Sequence, residues 1–128
     1  MFNWRRPDNL GVSNGRLAPC RRTPNCVSSQ ADPSDREHYI APIASRGDAM
    51  AAVRRALAAM PRAKVISEGE NYLYAEFRSK LLGYVDDVEF FCDGSAIQVR
   101  SASRLGRRDF QVNRNRVEQL RALITQRP

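Results

Sequence analysis

The sequence predicts an α+β domain: a four-stranded antiparallel meander with two helices packed on one face, in the order α-β-β-β-β-α, behind an extended N-terminal arm. Three observations predict it. Apolar residues recur at helical spacing around position 50 and again around position 120. Between them, from Ala63 to Arg104, the period falls to two. Inside that alternating stretch lies Asp93-Gly94, a pair suited to a tight hairpin between adjacent strands.

The arm covers residues 1–40 and the domain proper residues 41–128. Pro7, Pro19, Pro24 and Pro33, with Pro42 just beyond, interrupt the arm, which shows neither helical nor alternating period. Its dense spot is Cys20-Arg-Arg-Thr-Pro-Asn-Cys26-Val-Ser-Ser-Gln30, where Pro24-Asn25 signals a turn. The arm is expected to wrap the sheet edge or cover a polar end of the sheet.

Ser45-Arg-Gly-Asp48 resembles a capping box with Asp in place of Glu. Met50, Val53, Leu57 and Met60 then form the core stripe of the first helix, and Pro61 stops it. Lys64–Glu68 is the first strand. In Tyr72–Ser79, Leu73, Ala75 and Phe77 share one face, and Tyr72, Tyr74, Glu76 and Arg78 the other. Leu81-Leu82-Gly83 is an apolar loop. In Val85–Cys92, Val88, Phe90 and Cys92 point inward, and Asp87, Glu89 and Phe91 outward. Ser95–Arg104 is the fourth strand, with Ile97 and Val99 inward and Gln98, Arg100 and Arg104 outward.

The outer face is therefore expected to carry a solvated ladder of Glu76, Arg78, Asp87, Glu89 and Arg100, or, through Tyr72, Tyr74 and Phe91, to meet a second copy in a homodimer. The inner face ends in Ser101 and Ser103 opposite Asp86. Buried polar groups need partners, so a polar pocket is expected there. Gly106 permits a turn, and Asn115-x-x-Glu118 reads as the capping box of the last helix, with Asn113 an alternative cap. Val117, Leu120, Leu123 and Ile124 are its core stripe. The helix start, beside Arg114 and Arg116, is an anion site in principle unless Asp109 or an Asn already fills it.

The net charge of +7 is uneven: residues 100–128 carry eight Arg against Asp109 and Glu118, a balance of +6. That field suits a small anion, an anionic lipid surface or nucleic acid. Nucleic acid is the least favoured, since Tyr39 and Phe110 give thin aromatic support and 19 of the 21 bases are Arg, a bias that genome composition also produces. No apolar run approaches the ~20 residues of a membrane-spanning helix. The N-terminal stretch lacks the apolar core of a secretory signal, so the chain as given reads as cytoplasmic.

The cysteines leave alternatives open. A Cys20–Cys26 disulfide needs an oxidising compartment. Zinc held by Cys20, Cys26, His38 and Cys92 has the right ligand types but a spacing wider than a zinc knuckle. Plain thiols are the third alternative, and the favoured one for Cys92 in its apolar strand. No metal and no cofactor is expected.

Three stretches, PNCVSSQ at 24–30, DDVEFF at 86–91 and RSASRLGRRDFQVNRNRVEQLR at 100–121, resemble the domain-of-unknown-function 1499 family. The resemblance runs from about Cys20 to the end. It implies importance for thirteen positions, of which Asn25, Cys26, Ser28, Arg100, Ser101, Ser103, Arg104, Asp109, Asn113 and Arg116 are expected here to bind a ligand and Asp87, Glu89 and Gly106 to be structural. Gln111 departs from the pattern, which has Gly there. Relatives tied to membranes or exported are implied as well. The resemblance carries no activity.

Two function classes follow, with nucleic-acid binding as a third. The favoured one is a non-catalytic binding module that holds an anionic ligand or protein partner through its arginines. The alternative is a hydrolase- or thiol-type enzyme using Cys26 or a Ser near the Arg cluster. It lacks a G-x-S-x-G elbow, and the lone His38 lies in the arm.

Overall fold

A computed structural model describes residues 5–80, 83–106 and 109–126. Both expected helices form: α1 (Ala49–Ala58) and α2 (Val112–Thr125). The expected meander also forms, as β2 (Ala63–Glu68), β3 (Tyr72–Arg78), β4 (Val85–Cys92) and β5 (Ile97–Ser103). The sheet has five strands, however, not four. The extra strand, β1 (Cys26–Ser28), comes from the arm and gives the antiparallel order β1-β5-β4-β3-β2. Cys26 pairs with Ala102, Val27 with Ser101 and Ser28 with Arg100. Three residues are too few to show a period, and the partner strand is more than 70 positions away. The far edge strand, β2, is interrupted by a bulge between Val65 and Ser67.

The core lies between the inner sheet face and the two helices. Val53, Leu57, Leu73, Val88, Phe90, Ile97, Val99, Val117 and Leu120 pack there, joined by Ile40 and Ile43 from the end of the arm. Burying each such side chain contributes roughly 1.5–3 kcal/mol. Every residue of the alternating strands that was assigned inward as a hydrophobe is buried or packed against this cluster.

Both helix starts differ in detail from expectation. Asp48 is itself the N-cap of α1, its carboxylate accepting from Ala51 N at 3.1 Å. The second helix begins at Val112, so Asn115 lies inside it and caps nothing. Its N-cap, Gln111, is left-handed with φ 67° and makes no side-chain cap. Asp109 does that work from outside, accepting from Gln111 N at 3.0 Å and Asn113 N at 3.1 Å.

The larger correction concerns the outer sheet face. Arg78 is exposed, but Glu76, Asp87, Glu89 and Arg100 are buried. The arm lies over them. Arg6 Nε donates to Glu76 Oε2 at 2.8 Å, and Gly11 N donates to Glu89 Oε2 at 2.7 Å. Tyr74, offered by sequence to a second copy, is buried on this covered face. Alternation marks the two sides of a strand but not what lies against each.

Candidate functional site

β5 organises two polar clusters, because its alternation sends Ser101 and Ser103 to the helix side and Arg100 to the arm side. On the helix side, Asn113 is fully buried and binds everything around it. Its Oδ1 accepts from Ser101 Oγ at 2.6 Å and Arg116 Nη1 at 2.9 Å. Its Nδ2 donates to Asp109 Oδ2 at 2.7 Å and Ser103 Oγ at 2.8 Å. Arg116 also pairs with Asp86 Oδ2 at 2.8 Å and stacks over Phe77 at 4.7 Å. Burial raises the Asp86 pKa, and Arg116 offsets only part of that rise. Asn25 joins from the arm, donating from Nδ2 to Gly106 O at 2.7 Å. This cluster ties the arm, β5, the basic loop and α2 together, and its members satisfy one another.

The arm-side cluster is built on charge. Arg104 makes a bidentate pair with Asp87, with both contacts at 2.9 Å, and a further bond to Glu76 Oε2 at 2.6 Å. The Tyr74 hydroxyl lies between Asp87 Oδ1 and Glu76 Oε2, 2.9 Å from the latter. Burial alone would raise the Glu76 pKa. The bonds from Arg6, Tyr74 and Arg104 outweigh it and bring the carboxyl down to about 2. Burial and its carboxylate neighbours push the Tyr74 phenol well above its ordinary range.

Glu89 and Arg100 are less well served. Glu89 Oε2 accepts from Gly11 N and from the Tyr72 hydroxyl at 2.6 Å, whereas Oε1 has no hydrogen-bond partner. Arg100 Nη2 donates a long bond to the Pro19 carbonyl, at 3.4 Å, its Nη1 lies 3.8 Å from Glu89 Oε1, and its Nε has no acceptor. Burial lowers the Arg100 pKa, opposed by Glu89 and Asp87.

Beside Arg100 opens a cleft of about 140 Å³ between the arm, the Cys20–Cys26 loop and β5. Arg5, Arg21, Arg100 and Arg104 line it with Asn9, Asn25, Cys26 and Ser103. Asp87 is the one carboxylate among its lining residues, and Arg104 already pairs with it.

Cys20 and Cys26 are joined by a disulfide with an S–S distance of 2.02 Å. Cys26 therefore offers no thiolate in this state. His38 is held by Asp35 Oδ2 at 2.8 Å and Thr23 O at 2.9 Å, and Cys92 sits against Met50 Sδ at 3.3 Å. With Cys20 and Cys26 spent in the disulfide and Cys92 packed against Met50, the four potential zinc ligands do not come together, and among the described residues no His, Cys, Asp and Glu cluster could hold a metal. No described helix is long and apolar enough to cross a membrane.

The structure divides the ten ligand-binding candidates. Asn25, Cys26, Ser103, Arg100 and Arg104 line the cleft. Ser101, Asp109, Asn113 and Arg116 lie in the helix-side network. Ser28 faces a different depression, beside Arg16 and His38. Asp87 and Glu89 anchor the arm-side cluster, and Gly106, with φ 81°, gives its carbonyl to Asn25. Sequence reasoning missed Arg5 and Arg21 of the cleft and Arg6 on the sheet. The available signal was that Arg21 lies between two cysteines able to close a loop.

Among known proteins, the family model described as "Protein of unknown function (DUF1499)" matches residues 16–124. No curated protein and no solved structure matches the chain. The match takes in the disulfide, all five strands, the helix-side cluster, the strand residues of the arm-side cluster and most of α2, but not Arg5, Arg6 or Gly11 of the arm, and on that extent the chain belongs to the DUF1499 family.

Proposed function

We propose that this chain is a non-catalytic binding module that holds a small anion, or the anionic group of a partner, in the cleft between the arm, the disulfide loop and β5. The observation that carries this reading is Arg100. It is a buried guanidinium lining the cleft, and its Nε lacks an acceptor. Native structures rarely leave such a donor unsatisfied without a reason. Arg5 and Arg21 add positive charge to the same walls, and guanidinium forks match carboxylates and phosphates. A volume of about 140 Å³ suits an oxyanion or a short carboxylate. The disulfide supports an oxidising compartment over the cytoplasm.

Calorimetric titration with inorganic phosphate, sulfate and acetate tests this. At least one should bind, with affinity falling as salt rises. Arg21→Ala should weaken binding about tenfold, the scale of one charge-assisted hydrogen bond. If none of the three anions binds, or if Arg21→Ala binds as wild type does, the cleft is not an anion site.

A further inference from the structure

The basic cleft beside Arg100 has a carboxylate in its wall. Asp87 is buried and lines the same cavity as Arg5, Arg21 and Arg100. Its two oxygens act as acceptors. Oδ1 faces the Tyr74 hydroxyl and Arg104 Nη2, and Oδ2 accepts from Arg104 Nε at 2.9 Å. A carboxylate has about four lone-pair sites, so one on Oδ2 stays open. Glu89 Oε1, 3.8 Å from Arg100 Nη1, is a second buried acceptor without a donor. On the same wall Arg100 Nε is a buried donor without an acceptor. The neutral groups of the wall are already engaged: Asn25 Nδ2 donates to Gly106 O, Asn25 Oδ1 accepts from Thr23 Oγ1, and Ser103 Oγ accepts from Asn113 Nδ2.

Burial is the main influence on the Arg100 pKa. After it come Glu89 and Asp87, which raise it, and Arg21, which lowers it. The Asp87 carboxylate and the Arg21 guanidinium therefore lie close enough to act on Arg100, and on any ion beside it.

Such a wall separates anions by whether they carry a proton. Sulfate presents acceptors only. It satisfies Arg100 Nε but meets Asp87 as a like charge with no hydrogen bond between them. Hydrogen phosphate presents ionised oxygens to the guanidiniums and a P–O–H to the carboxylate. A phosphomonoester keeps that proton only below its second pKa of about 6, whereas free phosphate retains one throughout the neutral range.

We propose that the cleft selects the protonated tetrahedral oxyanion, hydrogen phosphate, with Arg100 Nε donating to an ionised oxygen and the P–O–H donating to Asp87. This selection rests on the anion-binding reading of the cleft and adds which anion it takes.

Calorimetric titration of the full chain at mildly alkaline pH tests it. Phosphate and arsenate keep a proton there; sulfate and selenate match them in shape and do not. The first pair should bind at least about tenfold more tightly than the second, the scale of one charge-assisted hydrogen bond. Methyl phosphate, doubly ionised under these conditions, should group with sulfate. Asp87→Asn, whose amide can donate to an ionised oxygen, should bind sulfate more tightly than wild type does and lose the preference. The comparison among anions is read on wild type, so it stands even where the variant folds poorly. Sulfate or methyl phosphate binding as tightly as phosphate overturns the selection and leaves the anion site intact. A folded Asp87→Asn that keeps the wild-type preference overturns the role of Asp87. If none of the anions binds, the anion site and the selection fall together.

Discussion

Glu89 Oε1 and Arg100 Nη1 stand 3.8 Å apart on the paired strands β4 and β5, both side chains buried, and neither fully hydrogen-bonded. Their attraction is what remains to offset two desolvated charges, so each is costly without the other. Glu89→Ala alone should destabilise by about 3–5 kcal/mol, as should Arg100→Ala, because each leaves a buried charge uncompensated. The double variant should cost clearly less than the two losses added. Urea unfolding of all four proteins measures the coupling. Strict additivity would mean that the two charges do not support each other.

Gln111→Gly should stabilise the domain by about 1 kcal/mol. Gln111 sits at φ 67°, where glycine has no steric penalty, and its side chain makes no capping bond. The glycine that the family resemblance places at this position therefore has a conformational reason. Thermal melting should rise by a few degrees. A fall would show that the glutamine side chain contributes packing that outweighs its backbone strain.

Acid should loosen the arm-side cluster through Glu76. Its folded pKa of about 2 lies below the ordinary 4.5. The stability it contributes is therefore present above pH about 4.5 and is lost as pH falls toward about 2. Glu76→Gln should be less stable than wild type at neutral pH and lose less across that window. Denaturant unfolding between neutral and acid pH reads the difference.

His38 works in the opposite sense. Burial lowers its pKa, but the Thr23 carbonyl and the Asp35 carboxylate outweigh that, and the net shift is upward from 6.5. Both ring nitrogens face acceptors, which favours the imidazolium. Its contribution is fully present below pH 6.5 and lost as pH rises through the folded value. Titrating the ring by NMR should show the raised pKa in wild type and a downward move in Asp35→Asn.

Reducing the Cys20–Cys26 bond should cost roughly 2 kcal/mol, the loop-closure entropy of so short a loop. Phosphate affinity should fall as well if the cleft binds it, since Arg21 belongs to the loop that the bond closes. Melting with and without reductant, followed by phosphate titration, separates the two effects.

The meander and both helices were legible because β3, β4 and β5 keep their core hydrophobes on one face and the helices keep theirs on one stripe, and that placement writes a period into the residues. Leu73, Phe90 and Val99 could be placed inward on that basis alone. Nothing comparable marks the arm. Cys26–Ser28 is too short for a period, and Arg6 and Gly11 meet the sheet through single polar atoms. For the same reason Glu76 and Glu89 read as solvated when they are covered. The site residues of β5 were individually visible, but Arg100 and Ser101 are adjacent in sequence and act on opposite faces of the sheet. How each face is completed depends on segments remote in sequence, the arm on one side and Asn113 on the other.

The two outermost strands also govern how this protein behaves in a crowd. β1 is only three residues long and is bridged at Ser28 to Tyr39, and β2 is broken by its bulge and carries Lys64. Neither margin offers a long, flat row of free amides on which another chain could template itself. Copies of this domain are therefore guarded against edge-to-edge aggregation, and association between them would have to use side-chain surfaces, where single substitutions can tune it.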